Sequence, residues 1–549
     1  MKNSSKNKMK FQMCNIVLIG ALSVFNAVAK EKPKPGEGDD NRPVRPNRPV
    51  LNELDNTQQR LKELLISLEI TSINETELNL PKIADPISQL GKKLFFAKNL
   101  GGEQSVACVS CHHPMLGGGD DVSLSVGVSA VNEINQASHD LLGHGRFNGL
   151  NVNNLPSIPR NAPTIFNLGL NNRAMFWDGR VEMRRNNAIV TPDSIIGENG
   201  RPRADRNIPA DATLAAAQAR FPLNSPAEMR GDFLSTVTDD EFRAALVDRF
   251  TNMDESFVSV WPTEFNKVFG DDEVNIDRIS HAIGEYERSM LFVNSPWQQY
   301  LKGDENALTD EQKAGALLFF SPTQEGGAGC SGCHQGSEFT GFRYQMAAYP
   351  QFGPGKGNES ATSTSQDFGR ENTTKRVEER FHFKTSSLLN VEVTGPYGHT
   401  GAYQTLEEVV RHYNNPRESI NILFGMQDTS EAVNENAPFC QLPQVLDLMI
   451  KNAKTCAQLY PNAYANSVEV TDYLELARDE VVETRFALRG RRNLNDEQIT
   501  RVVSFLKALT DPCVKDRNCL SPWILEENEQ LAFPDNNPLK AHDRNESSL

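Results

Sequence analysis

Beyond residue 30 the chain has no apolar run approaching the ~20 residues that a membrane-spanning helix needs, which excludes a polytopic membrane protein. It also lacks a basic surplus. Its 56 lysines and arginines face 72 acids, a formal net charge of −16, so nucleic acid, which is bound by neutralising phosphate, is not an expected partner. Runs that alternate apolar and polar residues are scarce, so little strand is expected. With 38% hydrophobic residues over 549 positions, the chain nevertheless has material for two or three packed cores and is not a disordered polymer.

What is present begins with a cationic "MKNSSKNKMK" followed by the short apolar run "MCNIVLIGALSVFNAVA", ending in small residues at Ala27 and Ala29. This is the anatomy of an export signal over residues 1–29, with cleavage expected after Ala29 and an uncleaved anchor as the other reading. Cys14 lies inside the signal without the small-residue context of a lipoprotein leader. Loss of the signal's four lysines takes the net charge from −16 to −20, which suits basic partner proteins. The next segment, "KEKPKPGEGDDNRPVRPNRPV", is dense in Pro, Gly and charge and reads as an extended tether over residues 30–56. Helical spacing starts with "TQQRLKELLISLEI", and the remainder reads as helices separated by long Gly, Pro and Asn-rich loops.

The chain also carries an internal repeat. "LGKKLFFAKNLGGEQSVACVSCHHP" (90–114) is echoed by "AGALLFFSPTQEGGAGCSGCHQG" (314–336). Each copy has Gly-x-x-Leu-Phe-Phe on a helix, a glycine-rich loop, and Cys-x-x-Cys-His. His112 and His334 lie 222 residues apart, so a division near residue 300 is expected, giving an N-terminal domain over 57–300 and a C-terminal one over 301–549. "LKGDENALTDEQKAG" would link them, with Thr309 or Asp310 capping the next helix.

Three chemistries use paired cysteines. A zinc site needs four ligands, and no second Cys/His pair lies near either copy. A thiol redox motif wants a strand–helix context and has no use for the trailing histidine. Covalent haem uses every position: Cys108 and Cys111, or Cys330 and Cys333, add to the vinyl groups, and His112 or His334 becomes the proximal iron ligand. Two haem c groups are therefore expected. Of the other mature cysteines, proximity suggests Cys440–Cys456 and Cys513–Cys519 as disulfides, with buried free thiols as the alternative. His113 is expected to be a pocket or surface residue.

Around these motifs stand "RNAPTIFNLGLNNRAMFWDGRVE" (160–182), "SPAEM" (225–229) and "FKTSSLLNVEVTGPYGHTGAYQTLEEVVRHYN" (383–414). In that order they resemble the bacterial dihaem cytochrome c peroxidase/MauG family, over about residues 80–415. The resemblance implies a mainly α fold of two cytochrome c-like haem domains with long loops, meeting near Trp177 and His399. It implies that hydrogen peroxide binds the N-terminal haem and that the C-terminal haem relays electrons. Glu228 matches the distal carboxylate that moves a proton during O–O cleavage, and Trp177 the tryptophan between the haems. His144 matches the histidine that caps the peroxidatic iron at rest, with His139 or no sixth ligand as alternatives.

Tyr413 falls where the peroxidases have an axial methionine, as in MauG, with His412 and Met426 as rivals. An anionic phenolate favours high oxidation states of iron, whereas methionine raises the potential. Asn161, Thr394 and Pro396 match an interdomain calcium site. The glutamine that the family carries shortly after Trp-Asp-Gly-Arg is absent, because "RRNNAIVTPDS" follows instead. The partner implied is a small electron-donor protein (a cytochrome c or a cupredoxin) or, on the MauG-like branch, a protein substrate. A non-catalytic dihaem carrier is the rival from another class. A periplasmic location follows from the signal, no membrane span is expected in the mature chain, and a homodimer is left open.

Overall fold

Two helices that precede the Cys-x-x-Cys-His motifs organise the molecule, and each is built around one glycine. The computed structural model describes residues 56–197, 202–251, 260–356, 366–426, 435–480, 482, 486–488 and 492–549. The expected signal and all of the tether but Asn56 lie outside the described residues. The Pro86–Phe96 helix starts on a proline, whose fixed φ suits the first helical position, and buries Leu90, Leu94, Phe95 and Phe96. It crosses the Ile276–Arg288 helix at Gly91, where a Cβ would lie 1.9 Å from the Ala282 carbonyl oxygen; beside the crossing the rings of Phe95 and Tyr286 sit 5.0 Å apart.

The second copy repeats this construction. The Asp310–Phe320 helix is capped by Thr309, with Gln312 closing a capping box, as "ALTDEQ" suggests. It crosses the Asp496–Lys507 helix at Gly315, whose Cβ would lie 1.8 Å from the Arg501 carbonyl, with Phe319 and Phe505 5.3 Å apart. A side chain at either glycine must push two helices apart. Gly315→Val is expected to cost at least about 1–3 kcal/mol, the range of core overpacking, read from the chemical denaturation midpoint of the haem-loaded protein; an unchanged midpoint would mean that this crossing is loose.

The fold is mainly helical, and its strands are two or three residues long. A first core gathers Leu90–Ala107, Phe242–Phe292 and, from the far end of the chain, Val514, Leu520, Phe533, Leu539 and Ala541. A second gathers Leu61–Ile73, Trp297–Phe339, Leu389–Val410 and Leu494–Leu509. The hydrophobic clusters therefore cross the division expected at residue 300 in both directions. The first helix, Thr57–Ser67, sends Leu61 and Leu65 into the second core, and the C-terminal segment closes the first. A third cluster contains Tyr403, Phe424, Phe439 and the buried Cys440–Cys456 disulfide. Cys513–Cys519 forms the other disulfide, so both pairings suggested by proximity occur.

A small antiparallel sheet joins Ala174–Met175, Val181–Met183 and Ile189–Val190, with Met175 opposite Val181 and Glu182 opposite Val190. Its first turn carries Phe176, Trp177, Asp178 and Arg180. The Leu214–Ala219 helix packs beneath it through Leu214, Ala215 and Ala217. The sheet thus anchors both ends of the turn that carries Trp177.

Candidate active site

Neither Cys-x-x-Cys pair closes on itself: Cys108, Cys111, Cys330 and Cys333 are free thiols. Each pair opens a single 3-10 turn, Cys108–Ser110 and Cys330–Gly332, which brings the following histidine round beneath it. His112 Nδ1–H donates to the Gly118 carbonyl at 3.2 Å, and His334 Nδ1–H to the Phe339 carbonyl at 3.0 Å. A carbonyl can only accept, so both imidazoles carry their proton on Nδ1 and keep the Nε2 lone pair for a metal. Burial pushes both histidines down, His334 to about 4, which keeps them neutral. Burial pushes the Cys330 thiol up to about 11. Free thiols in pairs, each beside an imidazole held in the ligating tautomer, fit covalent haem at both positions.

At the first motif, the turn Pro226–Arg230 carries Glu228 and is capped by Ser225 Oγ, which accepts from the Glu228 N–H at 3.3 Å. Segments on either side of the Cys-x-x-Cys pin this turn. Gly102 N–H donates to the Met229 carbonyl at 2.7 Å, and a Cβ at Gly102 would sit 1.9 Å from the Arg230 carbonyl. Gly127 approaches the Ala227 and Glu228 carbonyls from the other side. This explains the glycine in "LGGEQ": the loop before Cys108 must touch the Glu228 turn backbone to backbone.

Burial raises the Glu228 carboxyl, and Arg180, Lys356 and Arg160 hold it back. Burial pushes Cys111 up to about 12, with Asp120 and Glu228 adding to the rise and Arg146 opposing it. The carboxylate therefore acts on the first site and faces an ion network at the same time. In that network Arg160 bonds Asp178 at 2.8 Å and grips Asp367 at 2.5 and 2.8 Å, and Arg180 bonds Asp178 at 3.2 Å. Burial opposes ionisation of Asp178, but Arg160, Arg180 and Lys356 hold its carboxyl well below the usual range.

The other histidines near this motif differ in their placement. His144 Nε2 lies 3.9 Å from Asp121 Oδ2, and its buried Nδ1 has no hydrogen-bond partner. His139 is half-buried and lends its carbonyl to Arg146. His113 is wholly buried, with Nδ1 accepting from the Met115 N–H at 3.1 Å and its ring edge-on to Phe96. It belongs to the core rather than to a pocket or the surface, because the next turn folds back over it.

A cavity of about 290 Å³ is lined by Cys330, Cys333, His334 and Tyr413 together with Trp177 and His399. Trp177 Nε1–H donates to the Asn161 carbonyl at 2.9 Å. Asn161 N–H donates to the His399 carbonyl at 2.8 Å, and His399 stacks on Phe383 at 3.9 Å. Asn161, Thr394 and Pro396 also line this cavity; Asn161 Nδ2 donates to the Pro396 carbonyl at 2.5 Å. The three residues singled out for calcium thus converge, with the Pro396 carbonyl occupied by the Asn161 amide.

Of the three rivals for a second ligand, Tyr413 is the one that lines the cavity with Cys333 and His334. Burial pushes its hydroxyl up to about 12, and a hydrogen bond from Tyr349 opposes the rise. Arg492 lies 5.8 Å from the Tyr413 ring and ties the Tyr413 and Ala328 carbonyls together at 3.1 and 2.6 Å. His412 has both nitrogens engaged, Nδ1 with the Tyr403 hydroxyl and Nε2 with the Ala347 carbonyl, each at 2.8 Å. Met426 packs against the third cluster. Lys356, Asp367, Tyr349 and Arg492 escaped the sequence reading, because none stands at a motif spacing. Asp178 and Arg180 were visible only as neighbours of Trp177.

Residues 86–306 match the family model for di-haem cytochrome c peroxidase, a stretch that ends before Cys330. The chain is 29% identical to the cytochrome c551 peroxidase of Pseudomonas aeruginosa over 340 residues, which is 62% of this chain and 75% of that protein. It is 29% identical to the cytochrome c551 peroxidase of Nitrosomonas europaea over 64% of this chain and 79% of the relative. The methylamine utilization protein MauG of Methylorubrum extorquens is 26% identical over 59% of this chain and 67% of its own. Among solved structures, a MauG-like protein associated with microbial copper homeostasis superposes with a TM-score of 0.47 at 18% identity, covering 82% of this chain and 96% of that one. No helix among the described residues is long and apolar enough to cross a membrane.

Proposed function

We propose that this chain, which is similar to the di-haem cytochrome c peroxidases and is a peroxidase-type oxidoreductase, reduces hydrogen peroxide at the site built on His112. In this reading the protein is exported after cleavage behind Ala29, and each Cys-x-x-Cys-His belongs to a cytochrome c-like domain. Cys108 and Cys111 would tether one haem c and Cys330 and Cys333 the other, and His112 Nε2 and His334 Nε2 are the nitrogens that would hold the irons. When bound, the haem at His112 supplies the iron at which peroxide is reduced. The Glu228 carboxylate takes a proton from one peroxide oxygen and delivers it to the departing one. His144 caps this site at rest. Trp177, fixed by its bond to the Asn161 carbonyl, bridges the two sites. Tyr413 would offer its phenol oxygen as a second ligand at the His334 site. Asn161 and Thr394 would offer oxygens to a calcium ion, and Pro396 would join them if its carbonyl were released by the Asn161 amide.

The observation that carries this reading is the placement of Glu228, on a turn pinned by both flanks of the first motif and with its carboxyl raised by burial. Electrons then come from outside, from a small basic cytochrome c or cupredoxin attracted by the acidic surface. Tyr413, beside Cys333 and His334, favours a second reading: a MauG-like use of peroxide to oxidise residues of a partner protein.

Stoichiometric peroxide added to the purified, haem-loaded protein tests both. Peroxide consumption with a change in the haem absorption bands is expected. Reaction of the fully oxidised protein supports the partner-oxidising reading, and a need for prior one-electron reduction supports the electron-donor reading. No reaction in either state would leave a non-catalytic electron carrier and overturn the proposal.

A further inference from the structure

Behind the second site, the hydroxyl of buried Tyr403 meets Nδ1 of buried His412 at 2.8 Å. The direction of this bond is fixed. His412 Nε2 lies 2.8 Å from the Ala347 carbonyl, which can only accept, so Nε2 carries the proton and Nδ1 offers a lone pair to the Tyr403 O–H. A tyrosine cannot give up an electron near neutral pH unless its phenolic proton leaves with it, because the oxidised phenol is a strong acid. Most tyrosine bonds in this molecule offer no base for that proton. Tyr286, Tyr397 and Tyr473 donate to backbone carbonyls, which cannot take it up. At Tyr403 a neutral imidazole waits at hydrogen-bond distance.

An electron also has a short way out. The Tyr403 ring lies 5.9 Å from the Tyr349 ring, and Tyr349 lies 5.9 Å from Tyr413. Tyr349 and Tyr413 both line the cavity that holds Cys330, Cys333 and His334, whereas Tyr403 is 2% exposed and sealed from reductants in solution.

We propose that the Tyr403–His412 pair is a redox-active couple that holds one oxidising equivalent beside the second haem site. This rests on the peroxidase reading above, because peroxide is the oxidant. Reduction of one H2O2 to two waters takes two electrons and two protons. Tyr403 supplies one of those electrons through Tyr349 and Tyr413, becoming a neutral tyrosyl radical, while its proton crosses to His412 Nδ1 and makes the imidazolium. The second electron would come from a haem when it is bound, and both protons that make water come from solvent, because the Tyr403 proton stays on His412. When an electron returns from the donor, the proton moves back and Tyr403–OH is restored.

The test is electron paramagnetic resonance of the haem-loaded protein frozen after stoichiometric peroxide. A tyrosyl signal is expected, lost in Tyr403→Phe and in His412→Gln, each checked beforehand for an unchanged haem absorption spectrum. If those variants do not load haem, wild-type protein carrying 15N-histidine and ring-deuterated tyrosine decides: the signal should narrow on tyrosine deuteration and show coupling to a histidine nitrogen. A tyrosyl signal that survives Tyr403→Phe, one without histidine coupling, or none while peroxide is consumed overturns the pair. Absence of peroxide consumption overturns the peroxidase reading, and this inference with it.

Discussion

Glu228→Gln is expected to slow peroxide turnover by about 10²–10⁴-fold, the usual worth of a positioned proton-transfer group, while leaving the haem absorption spectrum as it was. The amide keeps the size of the carboxyl and the Ser225 cap on the backbone, so the turn pinned by Gly102 and Gly127 should persist. Only the capacity to carry a proton is lost. The pH profile gives an independent check. Burial raises the Glu228 carboxyl despite Arg180, Lys356 and Arg160, and only the ionised form can accept the peroxide proton. The acid limb of turnover should therefore lie above the ordinary glutamate value of about 4.3 and should vanish in Glu228→Gln. The ionised form of a carboxyl raised by folding opposes stability as pH climbs through its folded value, so the amide should not weaken the fold at neutral pH. Turnover within a few-fold of the parent would remove Glu228 from the chemistry.

Tyr413→Met carries the second large effect: an upward shift in the midpoint potential of the haem on Cys330 and Cys333, on the order of hundreds of millivolts within the ~0.8 V that axial ligands span. The phenolate of Tyr413 would stabilise oxidised iron, and methionine would not. The Tyr349 hydrogen bond and the nearby Arg492 guanidinium favour a partly charged oxygen at this place in the cavity. The competing His412 has no free nitrogen. Spectroelectrochemical titration of both haems in the variant and the parent reads the shift directly. An unchanged second potential would show that Tyr413 only packs against the ring.

The local elements of this protein could be read from the sequence because their causes are local. Thr309 caps its helix because Gln312 stands three residues on. Gly91 and Gly315 sit at the same place in both copies because each meets a crossing backbone. Cys440–Cys456 and Cys513–Cys519 close short loops. The long-range partnerships had no such signal. Arg160 and Asp367 are 207 residues apart, and an arginine in one loop carries no mark of an aspartate in another. Tyr349 and Arg492 lie on irregular segments whose spacing follows neither a helical nor a strand period. The helix at Thr57–Ser67 was visible, but its choice of the second core was not. The C-terminal residues gave no hint of their destination, because 3-10 turns and extended backbone show no amphipathic pattern to match against a face.

That C-terminal segment has a consequence for the order of assembly. Phe533, Leu539 and Ala541 belong to the core around the first motif, Leu539 N–H donates to the Phe96 carbonyl at 2.9 Å, and Asp535 takes hydrogen bonds from Asn99 and Trp261 at 2.8 Å each. A polypeptide is made from its N-terminus, so Cys108 emerges well before the 533–541 segment that completes the core it packs against. The segment at 533–541 can close this core only after the chain between them has been made.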